Sequence, residues 1–318
     1  MKYRSLGRTG LTVSAVSLGT VSLGVEYGID APGEFGRPDE VSALRLLHEA
    51  VDCGITLVDT APAYGESERL IGLATGGDSR VIVATKVTPP AGYVASGFSR
   101  TLAETVRASI DASLDASRRA LGRDALDVVQ IHNATREIIE AAEVTDALLD
   151  AKRRGVVRCL GASVYGEEAA LAVVRSGQFD VLQVAFNALD QRMAARVLPA
   201  AAAAGVGVVV RSAHLKGALT PKAQWLPEPL APLREAAERA RDLLSGGRWD
   251  ALPEAAMRYC LSAPHVSSVL SGARTSAELR SAIQAEAAGP FADSVLAQAT
   301  RLALTEERLL NPYHWPMP

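Results

Sequence analysis

Asp59, Tyr64, Lys86 and His132 carry the side chains best suited to move a proton, and their placement along the chain makes them a set. Asp59 ends the apolar run ITLVD, Tyr64 follows it by five residues, Lys86 ends VIVATK and His132 ends VVQIH. A charge at the end of a buried strand needs a partner. Free tyrosine ionises at a pH of about 10, too high for efficient exchange near neutrality. A lysine ammonium beside it stabilises the tyrosinate and lowers that value, and a carboxylate keeps the lysine charged and oriented. With His132 hydrogen-bonding a substrate oxygen, the group suits hydride transfer at a carbonyl or alcohol carbon, Tyr64 giving or taking the proton as charge develops on oxygen. Taken singly, Asp59 with Lys86 also reads as a structural ion pair, His132 as a satisfied histidine at the core edge, and Tyr64 as a loop aromatic.

Bringing these four together requires parallel strands that end on one face. Eight apolar segments of strand length recur: VSAVSLGT near residue 13, ITLVDTA from Ile55, RVIVATKV from Arg80, LDVVQIH from Leu126, VVRCLGAS from Val156, FDVLQVAFN from Phe179, VGVVVRSA from Val206 and VSSVLSG from Val266. Most are too apolar, and too rich in Val and Ile, for half-solvated antiparallel strands. Amphipathic patterns between them predict helices near 38–53, 100–121, 143–154, 167–175, 190–203, 228–244, 252–261 and 275–287. The alternation predicts an α/β fold, a single (β/α)8 TIM barrel domain over residues 1–318, whose C-terminal face collects the strand ends. A doubly wound open sheet is the alternative, weakened because no glycine-rich dinucleotide fingerprint follows an early strand. The runs Tyr3–Leu6 and Thr12–Ser14 around RTG predict an N-terminal β-hairpin closing the barrel floor. Segments 25–37 and 88–99, rich in Gly, Pro and Ser, predict loops at the mouth. The tail from Phe291, ending NPYHWPMP, predicts a helix and an aromatic terminus near that mouth.

Composition removes several function classes. An apolar fraction of 48% and a charged fraction of 22% are those of a folded globular protein. With 33 basic against 36 acidic residues, a net charge of -3 offers no general attraction to nucleic acid or an acidic membrane. Cys53, Cys159 and Cys260 are far apart and lack metal-ligand spacing, which points to a reducing compartment and no metal. The start MKYRSLGRTG has no apolar run behind its charges, and no apolar stretch reaches about 18 residues. A cytoplasmic protein with a small-molecule substrate is expected, its oligomeric state left open.

The opening RSLGRTGLTVSAVSLGT, the segment VDTAPAYGESERLIG, the ATK ending at Lys86, the QIHN around His132 and the late LSGARTSAEL together resemble the aldo-keto reductase superfamily over essentially the whole length. The resemblance implies a barrel that binds NADP(H) or NAD(H) extended, without a Rossmann domain, and it places the family's four catalytic positions on Asp59, Tyr64, Lys86 and His132. It also implies that Ser163 and Gln183 hold the nicotinamide amide, with Val164 where the family usually has Asn, and that Asn187 braces the loop after the sixth strand. Arg211 stands where many members stack an aromatic ring on the nicotinamide; its guanidinium can stack, pair with a diphosphate or substrate carboxylate, or be locked by a nearby acid. Ser212, Leu215 and Gly217 match the pyrophosphate-side loop, and Gly272, Arg274 and Glu278 the adenosine end. Glu278 repels a ribose phosphate if it points inward, and serves only the helix dipole if it points to solvent.

The reaction expected is NAD(P)H-dependent reduction of an aldehyde or ketone, with a sugar or natural-product carbonyl among the candidates. An NAD(P)-dependent aldose or alcohol dehydrogenase is the alternative, and a non-catalytic nucleotide-binding barrel a third reading. Tyr27, Tyr93, Phe98, Trp225, His314 and Trp315 are candidates to line the mouth, each equally readable as a surface or core contact.

Overall fold

Valine-rich runs that are buried on both faces form parallel strands, and here they close on themselves. The computed structural model describes residues 1–32, 35–90, 93, 100–141 and 143–316. A short antiparallel pair, β1 (Tyr3–Ser5) and β2 (Thr12–Ser14), precedes β3 (Val16–Gly19), β4 (Leu57–Asp59), β5 (Ile82–Val87), β6 (Leu126–Ala134), β7 (Val157–Val164), β8 (Val181–Ala185), β9 (Gly207–Arg211) and β10 (Ser268–Ser271). The last eight form a closed parallel barrel in the order β10, β3, β4, β5, β6, β7, β8, β9. This is the (β/α)8 barrel expected, and it sets aside the open sheet.

The two-residue strand period sorts side chains by height as well as by face. Leu57, Ile82, Ala84, Val128, Cys159, Val181, Val209 and Leu270 fill the lower barrel interior. Two or four residues further along the same strands stand Asp59, Lys86, Gln130, His132, Ser163, Gln183 and Arg211. The apolar plug and the polar layer thus share one lining, and the floor below is sealed by Leu6 and Val13 of the hairpin. Outward residues such as Leu18, Val58, Val83, Val129, Leu160, Leu182 and Val208 pack against Leu46, Leu47, Ile71, Ile110, Leu148 and Val173 of the helices. Each such side chain, fully buried, contributes roughly 1.5–3 kcal/mol.

One helical expectation needs correction, and helices at Ser67–Thr75 and Arg136–Ala141 form where none was expected. The span expected as helix over 190–203 is helical only at Val197–Ala203. The Asn187 side-chain oxygen accepts from the amides of Leu189 and Asp190 at 2.9 Å, folding the start of the segment into a turn. The helix at Ser67–Thr75 follows Tyr64 directly. The tail forms a helix at Asp293–Ala299 and then runs along the loop after β8, where the Leu304 amide donates to the Leu189 carbonyl at 2.8 Å. No helix among the described residues is long and apolar enough to cross a membrane.

Candidate active site

Asp59, at the end of β4, is buried and accepts three hydrogen bonds. Lys86 Nζ donates to its Oδ2 at 2.7 Å, while Gln183 Nε2 and Gln130 Nε2 donate to its Oδ1 at 2.7 and 3.0 Å. Lys86 is 1% exposed and also donates to the Thr60 carbonyl at 2.8 Å. Burial opposes its charge, and the Asp59 carboxylate and Tyr64 outweigh that, holding the ammonium above its ordinary pKa.

Tyr64 ends the short 3-10 turn Pro62–Tyr64 above the strand. Its ring centroid lies 4.8 Å from Lys86 Nζ, and the His132 ring meets it edge to face with centroids 5.7 Å apart at 84°. The chain therefore brings the four residues to one point at the barrel mouth. The direction of the phenol's shift differs from that expected. Burial raises the Tyr64 pKa, Lys86 lowers it, Asp59 raises it again, and the net value lies above the ordinary 10.0. His132 is pushed down to about 4 by burial and by the Lys86 charge, so its ring is neutral at physiological pH.

Around this point, Ser163 and Gln183 stand opposite each other on β7 and β8, and the amide of Gln183 faces Asp59. Asn187 braces its own loop as expected, its side-chain oxygen accepting from the Leu189 and Asp190 amides, and it also reaches the loop after β9, its Nδ2 donating to the Ser212 carbonyl at 3.0 Å. Arg211 is locked by a carbonyl and a ring rather than by an acid. Its Nη2 donates to the Val164 carbonyl at 3.1 Å and its guanidinium stacks 4.0 Å from the Tyr165 ring, leaving Nε buried with no partner among the described residues. After β9, Ser212, Leu215, Lys216 and Gly217 all adopt positive φ, of 59°, 45°, 54° and 106°. Non-glycine residues hold such angles only where their surroundings enforce them. Past Gly272, the helix Ser276–Ala287 starts with a capping box: Glu278 N donates to Thr275 Oγ1, and Glu278 Oε2 accepts from the amides of Arg274 and Thr275. Glu278 thus occupies the two amides just ahead of the helix, while the Arg274 guanidinium donates to the Gly36 carbonyl at 2.9 Å and lies 3.9 Å from the Glu278 carboxylate.

Of the aromatic candidates, Tyr27 stands at the mouth: burial raises the pKa of its phenol above the ordinary 10.0, the phenol feels Tyr165, Arg211 and Tyr64, and the Lys216 ammonium lies 5.6 Å from its ring. The others scatter: Tyr93 donates to Glu143, and Trp225 lies on the surface. His314 packs edge-on against Tyr313. Trp315 is a core contact within the tail, its indole N–H donating to the Leu309 carbonyl. Phe98 and most of the 88–99 loop lie outside the described residues. A cleft of about 600 Å³ behind the Tyr64 turn is lined by Gly24, Arg37, Glu40, Gly65 and Arg69, and Arg69 there already pairs with Glu40 and Glu66. Sequence reasoning missed Gln130, whose signal was a lone amide in the run VVQIH, and Tyr165, the platform under Arg211.

A model of the aldo/keto reductase family matches residues 15–303. The chain belongs to that family. It is 30% identical to aldo-keto reductase YhdN of Bacillus subtilis (strain 168) over 229 residues, 70% of this chain and 65% of that one. It is also 30% identical to the L-galactose dehydrogenase of Arabidopsis thaliana, over 85% of this chain and 83% of the relative. The solved holo form of aldo-keto reductase AKR11C1 from Bacillus halodurans superposes with a TM-score of 0.76 at 26% identity, over 98% of this chain and 100% of that one. As a member of the aldo/keto reductase family the chain is an oxidoreductase that interconverts carbonyls and alcohols.

Proposed function

We propose that the protein reduces a small aldehyde or ketone with NADH or NADPH, Tyr64 supplying the proton. The observation that carries this reading is the buried Lys86, bonded to Asp59 at 2.7 Å and set 4.8 Å from the Tyr64 ring centroid. A bound reduced nicotinamide nucleotide supplies hydride to the carbonyl carbon. The Tyr64 hydroxyl, protonated at neutral pH, hydrogen-bonds the carbonyl oxygen and releases its proton as negative charge develops there. Lys86 stabilises the phenolate that remains, and Asp59 holds Lys86 in place with the help of Gln130 and Gln183. The neutral His132 ring offers an N–H to the same oxygen and orients it.

The donor set suits a dinucleotide. Arg211 has a buried Nε with no acceptor among the described residues, and Arg211 at the end of β9, Lys216 in the loop after it and Arg274 past β10 place cations where a diphosphate calls for them. Ser163, Gln183, Arg211, Ser212, Leu215, Gly217, Gly272, Arg274 and Glu278 would hold it. Because the Glu278 carboxylate already covers the helix start, a ribose phosphate would meet a like charge there, which favours NADH. A relative in Escherichia coli named NADH-specific methylglyoxal reductase, 30% identical over 69% of each chain, supports both the direction and the nucleotide. The oxidative reading, an aldose or alcohol dehydrogenase, has its own support in the broad match to L-galactose dehydrogenase. The deciding experiment follows absorbance of the reduced nicotinamide with NADH, NADPH, NAD and NADP over a panel of aldehydes, ketones and aldoses that includes methylglyoxal. Carbonyl-dependent oxidation of NADH is expected; nucleotide binding with no turnover of any carbonyl, alcohol or sugar would overturn the assignment.

A further inference from the structure

Ser67 and Glu68, the first two residues of the helix after Tyr64, are buried and polar, and the proton transfer itself uses neither. They reach opposite ways. Ser67 Oγ donates to the Thr20 carbonyl at 2.7 Å. Thr20, just past β3, donates from both its amide and its hydroxyl to the Asp59 carbonyl, each at 3.0 Å. Glu68 Oε1 accepts from Thr85 Oγ1 at 2.6 Å, and Thr85 is the residue before Lys86 on β5. Since β3 and β5 flank β4 in the barrel, the segment following Tyr64 is tied to the strand on either side of the one that carries Asp59.

The backbone adds a third hold. A Cβ on Gly24 would lie 1.8 Å from the Tyr64 carbonyl oxygen and 2.4 Å from Ser67 Oγ, so the chain after β3 presses directly on the turn. Gly65 takes φ +55°, and a Cβ there would lie 2.6 Å from the Gly24 carbonyl oxygen. The turn itself has little packing, with Pro62 and Ala63 exposed and one internal bond from the Tyr64 amide to the Ala61 carbonyl at 2.9 Å. Its position is therefore set by the start of the helix Ser67–Thr75.

We propose that Ser67 and Glu68, through Thr20 and Thr85, are positioning residues that fix the Tyr64 hydroxyl against Lys86. The proposal rests on Tyr64 being the proton donor. The Glu68 to Thr85 bond joins the helix start to the residue beside Lys86, so the two partners of the proton-transfer unit move together. A carboxylate acceptor makes that tie stronger than a neutral one would be.

The test measures kcat for methylglyoxal reduction, the dissociation constant of NADH, and the pH profile of kcat in Ser67→Ala, Thr85→Val, Thr85→Ser and Glu68→Gln, with Tyr64→Phe as reference. Because a misplacement of about 1 Å costs on the order of a hundredfold, Ser67→Ala and Thr85→Val should lose about tenfold or more in kcat while NADH affinity changes less than about twofold. Thr85→Ser and Glu68→Gln, which keep a hydroxyl and an acceptor, should stay within about threefold of the parent by the same argument. The alkaline limb of the kcat profile should move in Ser67→Ala and Thr85→Val and stay put in the conservative pair. Parent-like kcat in Ser67→Ala and Thr85→Val overturns the brace, as does a loss shared equally by Thr85→Ser or matched by weakened NADH binding. If Thr85→Val does not fold, Ser67→Ala, which removes one hydroxyl, carries the test. Turnover that survives Tyr64→Phe overturns the proton-donor assignment and the brace with it, whereas loss in Tyr64→Phe alone overturns the brace only.

Discussion

The phenol of Tyr64 sits between burial, which keeps it protonated, and Lys86, which draws the proton off, and burial dominates. Carbonyl reduction should therefore run at a level rate through neutral pH and fall as pH climbs toward the raised phenol value, where the acid form is lost. Alcohol oxidation should rise over the same range, because it needs the phenolate. Profiles of kcat in both directions check this; a reductive rate that climbs with alkalinity would contradict it. With His132 held at about 4, neither profile should show a step at the ordinary histidine value of 6.5. Such a step, if it disappeared in His132→Asn, would show that the ring titrates in the working range. At Glu278, replacement by Gln should tighten NADPH relative to NADH by about tenfold, the scale of one charged hydrogen-bonding group, as read from the two dissociation constants. The four residues gathered at the barrel mouth were legible in the sequence because each is a polar or charged group at or just past the end of an apolar run. The sign of the tyrosine shift was not, because it depends on how deeply other segments bury the ring.

The strands were legible as elements because each is a short, mostly apolar run containing valine and largely buried on both faces. The helix Ser67–Thr75 was not, because its first turn hides a serine and a glutamate through hydrogen bonds, and only Leu70 and Ile71 mark an apolar face. The start of the helix expected over 190–203 misled for a related reason: Asn187 and Asp190 are fully buried polar groups whose bonds build a turn at the entry to that segment. Caps can be tested at the same scale. Thr275→Ala removes the side-chain half of the box that starts Ser276–Ala287 and should cost about 0.5–2 kcal/mol, measured by urea unfolding. No change in the unfolding midpoint would mean the box adds nothing to stability.

Across the whole molecule, one end of the barrel gathers the candidate site and the other is tied for stability. At the floor, Asp180 accepts from Lys152 at 2.6 Å, from the Leu160 amide at 3.0 Å and from Arg8 at 3.4 Å, joining the hairpin region to β7. Asp127 likewise gathers Arg123, Arg158 and the Val83 amide. Asp180→Ala leaves a buried amide unpaired, so it should lower stability by about 1–3 kcal/mol without changing NADH affinity; weakened nucleotide binding in the folded variant would show that the two ends are coupled. At the other end, the account stands on a single hydroxyl, and Tyr64→Phe addresses it most directly. By the usual contribution of a general acid, carbonyl reduction should fall by about 10²–10⁴-fold while NADH binds as before. Reduction by Tyr64→Phe at the parent rate would contradict the account.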